Sequence, residues 1–148
     1  MAEKKKPVRY TLLIDLDKCT GCQACSVACK MENNVDMGVF LNRVKRLGPV
    51  GEFPDNLEMF FFPDQCMHCD VPTCIEVCPT KATYKTETGV VLVDSDRCFG
   101  CQYCIWACPY DARTLNPFSK VVQKCTLCIH LLEKGELPMC VYTCTTQA

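Results

Sequence analysis

DRCFGCQYCIWACP, Asp96–Pro109, sets four cysteines at the spacing C-x2-C-x2-C-x3-C, as Cys98, Cys101, Cys104 and Cys108, with a proline directly behind the last. The same spacing returns in CTGCQACSVAC, as Cys19, Cys22, Cys25 and Cys29. Two further groups keep the opening C-x2-C and the closing C-x3-C but widen the middle gap. They are Cys66, Cys69, Cys74 and Cys78 in CMHCDVPTCIEVCP, and Cys125, Cys128, Cys140 and Cys144 near the C-terminus. All sixteen cysteines fall into these four groups. The chain is therefore an internal repeat, and the repeat governs the fold.

The spacing has a physical reason. A C-x2-C-x2-C loop curls round an iron–sulfur cubane so that three thiolates reach three irons, with backbone N–H groups aimed at the sulfurs. The fourth cysteine is expected to begin a short helix leading away, and so to ligate the other cluster of a pair, as in the bacterial two-cluster ferredoxins that share this run. Four groups then predict four [4Fe–4S] clusters, or about sixteen irons per chain.

The connecting segments predict how the groups pair. Between Cys78 and Cys98, PTKATYKTETGVVLVDSDR reads as a strand at Ala82–Lys85, a Thr88-Gly89 turn and a strand at Val90–Val93. That hairpin joins groups two and three into one contiguous unit. Group one has an expected strand upstream, Tyr10–Leu16, and pairs with group four around the inserted unit. Groups two and three both end in Cys-Pro, whereas groups one and four end in Cys29-Lys30 and Cys144-Thr145. The expected ligand sets are Cys19, Cys22, Cys25 and Cys144 for cluster one, and Cys66, Cys69, Cys74 and Cys108 for cluster two. Cluster three takes Cys98, Cys101, Cys104 and Cys78, and cluster four Cys125, Cys128, Cys140 and Cys29. The fold class is α+β: two ferredoxin-like modules of small β-hairpins and short helices, one inserted in the other. Residues 1–63 form the first half of the outer module with a hairpin insertion, 64–109 the inserted module and 110–148 the second half. The hairpin insertion pairs Val39–Leu47 with Leu57–Gln65, and the rings of Phe60–Phe62 are shared between a face over the clusters and a face for packing or a partner.

Other uses of the cysteines fit less well. At 148 residues the chain suits one ordinary domain or two very small ones, and cysteine makes up roughly a tenth of it. Disulfides need an oxidising compartment. The start MAEKKKPVRYTLLID has no continuous apolar core, no small-residue cleavage site and no twin-arginine pair. Cysteines in this number inside the cell point to metal. Zinc is the rival metal, since His68 and His130 lie near C-x2-C pairs. But His68 sits inside the curve of its loop, and His130 falls in a short apparent helix where a surface or packing role is expected. Tyr103 and Trp106 are expected to pack over a cluster or in the core, and Met67 and Met139 to pack as well. No stretch approaches a membrane span. A net charge of −1 suggests no nucleic-acid partner, and the triplet Lys4–Lys6 reads as a solvated tail.

With these groups in hand, the chain resembles the iron–sulfur electron-transfer subunits of molybdopterin oxidoreductases. Those four-cluster proteins accompany dimethyl-sulfoxide, polysulfide, thiosulfate and formate-type catalytic subunits. The likeness runs from about Tyr10 to Cys144 through DKCTGCQACSVACKMENN, CMHCDVPTCIEVCPT and DRCFGCQYCIWACPYDAR. Some members carry tryptophan for the third cysteine of group three and a three-iron cluster there; this chain keeps Cys104. It departs from the pattern in lacking a proline after group four and in ending at Ala148, where many relatives continue. Compact four-cluster subunits also accompany tungsten-dependent aldehyde oxidoreductases, so the resemblance implies a molybdopterin- or tungstopterin-containing catalytic partner.

The expected function is outer-sphere electron transfer between that partner and a second redox partner, such as a membrane-anchor or further electron-transfer subunit. With every thiolate on iron no coordination site is free, so the chain is expected to be non-catalytic by itself. Each oxidised cubane with its thiolates carries about −2, which takes the loaded chain to roughly −9 and makes basic docking faces the expected complement. The alternatives are a free polyferredoxin carrier and a zinc-stabilised interaction module. The expected location is cytoplasmic, or exported together with a signal-bearing partner.

Overall fold

The computed structural model describes residues 8–148, so the Lys4–Lys6 triplet lies outside the described residues. Along the chain run α1 (Ala24–Glu32), β1 (Asn42–Val50), β2 (Glu58–Gln65), α2 (Thr73–Glu76), β3 (Thr83–Lys85) and β4 (Val91–Val93). They are followed by α3 (Tyr103–Trp106), β5 (Arg113–Leu115), β6 (Val122–Lys124), α4 (Ile129–Leu132) and α5 (Met139–Tyr142). The strands form three separate antiparallel ribbons, β1–β2, β3–β4 and β5–β6. Helix α1 packs against α5 and α2 against α3, while β4 touches β6.

The repeat is visible in the backbone. Helices α2, α3 and α5 are single turns that carry the third cysteine of their group. The fourth cysteine does not begin a helix, as the spacing suggested; it closes one. The amides of Cys78, Cys108 and Cys144 donate to Ile75, Ile105 and Val141 respectively, each at 3.2 Å. Three residues on, Lys81, Asp111 and Gln147 adopt left-handed conformations at φ 54°, 51° and 51°, turning the chain away. Third and fourth cysteines are i and i+4, so one short turn carries both on neighbouring positions of its surface. Group four makes this turn without the proline of groups two and three. Helix α1 is longer, nine residues in all, and runs on to Glu32 past its last cysteine, Cys29.

Three strand expectations hold within a residue, and two need correction. Ribbon β3–β4 pairs Thr83 with Val93 and Lys85 with Val91. Strand β2 begins at Glu58. Strand β1 starts three residues later than expected, because Val39 and Leu41 are drawn into a small core with Cys29. The Val39 carbonyl accepts from Lys30 Nζ at 2.6 Å. Tyr10–Leu16 is not a strand but irregular chain ending in a turn, and it joins none of the three ribbons. Of the two places expected for Tyr103 and Trp106, the core is not where they lie. The two rings lie 6.0 Å apart and are 53% and 76% exposed. Met67 is likewise largely at the surface. One ribbon, β5–β6, has no counterpart among the sequence expectations. Its turn is held by buried Asn116, whose Oδ1 accepts from the amides of Phe118 at 2.8 Å and Ser119 at 3.1 Å.

The apolar core is thin. The largest fully buried side chains are Val39, Val90, Val91, Val122 and Asn116. At about 1.5–3 kcal/mol per buried aliphatic side chain, so few cannot offset the entropy of ordering a chain this long. The remainder must come from metal–thiolate bonds that exist only in the folded state. Anaerobic removal of iron with a strong chelator is therefore expected to abolish the cooperative thermal transition in far-UV circular dichroism. A cooperative melt surviving complete iron removal would contradict this account.

Candidate iron–sulfur centres

All four C-x2-C loops bend at the same place. The second residue after the first cysteine has positive φ in every group: Gly21 at 68°, His68 at 45°, Gly100 at 74° and Leu127 at 57°. Glycine stands where space also forbids a side chain. A Cβ on Gly21 would run into the Phe61 ring, and one on Gly100 into the Lys120 carbonyl. His68 and Leu127 accept a left-handed strain of roughly 1–2 kcal/mol each. Groups one and three enter their helices through left-handed Gln23 and Gln102. Groups two and four enter through extended Pro72 and Pro138, which is how their wider gaps arrive at the same helical turn.

These bends gather the thiols around hollows. Cys19, Cys22, Cys25 and Cys144 line one, together with Cys140, Leu12, Ile14 and Val141. Cys66, Cys69, Cys74 and Cys108 line another, beside Val91 and Arg113. Burial, and then the charges of Cys125, Cys128 and Cys140, push the Cys29 thiol up to about 12. Burial likewise drives Cys125 to about 12 and Cys140 to about 11. Cys104 is raised by burial and by Cys98 and Cys101, although Arg113 opposes the shift. The described contacts of Cys78 are local: burial is outweighed by hydrogen bonds from Thr83, Thr80 and Ala82, which hold its thiol low. Its link to group three is the packing of α2 on α3. Cys144 is held low in the same manner, by the Ala148 amide at 3.4 Å and the Thr146 hydroxyl at 3.7 Å.

The donor set suits iron–sulfur clusters. Every cysteine is a free thiol. Among the described residues, no three His, Cys, Asp or Glu side chains close tightly enough to grip one ion. Thiols standing around a hollow match a cluster whose ligands sit on separate irons, rather than a tetrahedral zinc with all its sulfurs about 2.3 Å away. Donors already point at sulfur: the Leu127 amide reaches Cys125 Sγ at 3.3 Å, and Asn33 Nδ2 reaches Cys29 and Cys128 at 3.7 and 3.8 Å. The histidines are engaged elsewhere. His130 Nε2 meets Glu32 at 2.8 Å. His68 Nδ1 accepts from the Val91 amide at 3.0 Å. Burial, then the charges of Lys124 and Arg113, lower the His68 pKa to about 3, so the ring is neutral. Its buried Nε2 has no protein partner among the described residues.

Two buried cations escaped the sequence reading. Arg113 and Lys124 are each only 3% exposed. Arg113 donates to Cys74 Sγ at 2.8 Å and to the Thr83 hydroxyl at 3.3 Å. Lys124 Nζ donates to the Val91 carbonyl and, at 2.7 Å, to the Cys125 carbonyl. Burial lowers the Lys124 pKa, while Cys66 and Cys125 pull it back up. A signal was present: the strand alternation of VVQKC turns Lys124 to the same face as Val122. Arg113 opens its strand five residues after Cys108, just as buried Thr83 does after Cys78.

Comparison with known proteins agrees with the geometry. Two matches to 4Fe-4S dicluster domains cover residues 57–148 and 18–82. Two such domains and sixteen cysteines correspond to four [4Fe–4S] clusters. A subunit of the tetrathionate reductase of Salmonella typhimurium is 46% identical over 92% of this chain and 54% of its own length. A putative dimethyl sulfoxide reductase iron-sulfur subunit of Halobacterium salinarum is 42% identical, over 94% of this chain and 64% of its own. A subunit of the sulfite dehydrogenase of Allochromatium vinosum is 46% identical, over 95% and 67%. The chain thus spans about half to two thirds of the length of these relatives. With its four cysteine loops, short helices and small antiparallel hairpins, the chain belongs to the 4Fe-4S dicluster family of ferredoxin-type iron–sulfur proteins.

Proposed function

We propose that this chain is an electron-transfer subunit that relays electrons between a molybdopterin- or tungstopterin-containing catalytic subunit and a second redox partner. One observation carries the reading: Cys29 lies among Cys125, Cys128 and Cys140, the thiols of a different loop. A cysteine that leaves its own loop for another's ties two centres to one helix and holds them at a fixed, short separation. Clusters bound there supply reversible one-electron transfer, with potentials set by hydrogen bonds to sulfur, burial and charge. The protein's part is to hold sixteen thiolates, exclude water from Cys29, Cys104, Cys125 and Cys128, and aim amide donors at sulfur. With each thiolate on iron, no site is left for substrate.

The proposed ligand sets are Cys19, Cys22, Cys25 and Cys144; Cys66, Cys69, Cys74 and Cys108; Cys98, Cys101, Cys104 and Cys78; and Cys125, Cys128, Cys140 and Cys29. The packing of α1 on α5 and of α2 on α3 supports them, as do the two cysteine-lined hollows. The same packing supports an inserted module at 64–109 between outer halves 1–63 and 110–148. The names of the relatives, reductase and dehydrogenase subunits, support a catalytic partner. Among the described residues no helix is long and apolar enough to cross a membrane; a membrane-anchor subunit is one form the second redox partner can take. The proposed location is the cytoplasm, where thiols stay reduced, with export alongside a signal-bearing partner as the alternative.

Two measurements test this. The Cys144→Ser variant should perturb the same electron paramagnetic resonance signal as Cys19→Ser; a spectrum matching Cys125→Ser instead would overturn the pairing. Native isolation by gel filtration should show the chain eluting with a larger protein that contains pterin. Elution alone, with the clusters intact, would replace the subunit reading with that of a free carrier.

A further inference from the structure

Arg113 and Lys124 face each other as direct cross-strand partners of the β5–β6 ribbon. Like charges in that register repel, and here both are buried. Neither takes part in an ion pair with a carboxylate among the described residues. Two buried, opposed cations persist only if an anion sits beside both. The groups next to them are thiols. Arg113 donates to Cys74 Sγ at 2.8 Å and also bears on Cys104. Lys124 lies near Cys66, Cys74 and Cys125. Cys66 and Cys74 belong to one proposed set, Cys104 to a second and Cys125 to a third.

We propose that Arg113 and Lys124 are internal counter-charges that both act on the cluster held by Cys66, Cys69, Cys74 and Cys108 and raise its reduction potential. This rests on the ligand sets proposed above. Reduction adds one electron to an already anionic centre, and a fixed cation in a buried site favours the more negative state. Lys124 also bears on Cys125 and Arg113 on Cys104, while both bear on Cys74 of the Cys66 set. The ribbon thus does more than connect groups three and four: it fixes the potential of one centre relative to the others.

The test is a redox titration of the intact, cluster-loaded protein followed by electron paramagnetic resonance, comparing wild type with Lys124→Met and Arg113→Met. Each neutral variant should lower the same midpoint by at least a tenfold change in its reduction equilibrium, about 59 mV for one electron. Lys124→Arg, which keeps the charge, should leave that midpoint within a threefold change. If Lys124→Met fails to assemble, Lys124→Gln carries the same test with a donor retained for Val91 and Cys125. Full iron content with unmoved midpoints, or with shifts confined to different centres in the two variants, overturns the inference. Fewer than four clusters in the wild type overturns the ligand reading beneath it.

Discussion

Crowding of thiols is the constraint from which the rest of the structure follows. Cys29 and Cys125 are buried and each meets other cysteines, with Lys124 beside Cys125 as well. As free thiolates they would repel one another, and as thiols they would leave a loose interior with little apolar filling. Iron resolves both problems, because it takes the thiolate charge and supplies the bonds that the thin core of valines cannot. The loops, single-turn helices and turns are the minimum backbone that delivers sulfurs from several directions. This explains why α2, α3 and α5 stop after one turn while keeping the same closing hydrogen bond.

The same constraint explains how unlike sequences make the same shape. Groups one and three use glycine and a left-handed glutamine; groups two and four use His68 or Leu127 and an extended proline. Glycine is required at Gly21 because Phe61 of the β1–β2 hairpin presses on the loop. The hairpin is thus tied to the first cysteine loop by an aromatic ring. Where no neighbour presses, a larger residue accepts the strain. His68 then gains a second use, since its ring turns inward to hold the Val91 amide and so pins β4 against the second loop.

The cysteine pattern made the cofactor, the loops and the β3–β4 hairpin legible, because ligand spacing and a Thr-Gly turn are local in sequence. What was not legible is non-local. Tyr10–Leu16 was expected as a strand, but whether a strand forms depends on a ladder partner, and this segment joins none of the three ribbons. Val39 and Leu41 read as strand and were claimed by the core around Cys29. Trp106 and Tyr103 read as interior from their neighbours in sequence, yet the helix turns them outward while Cys104 points in. Arg113 and Lys124 went unread, since charged residues are usually solvated. The alternation of VVQKC hints at Lys124, and the cross-strand register brings both cations together beside thiols.

The cations, the paired helices and the shared cysteines all presuppose a chain loaded with four clusters. Native mass spectrometry of the anaerobically purified protein tests that claim most directly. The account predicts one dominant species, heavier than the bare chain by four [4Fe–4S] units and losing them stepwise on activation. A dominant species carrying zinc, or one saturating at two clusters while all sixteen cysteines stay intact, would contradict it.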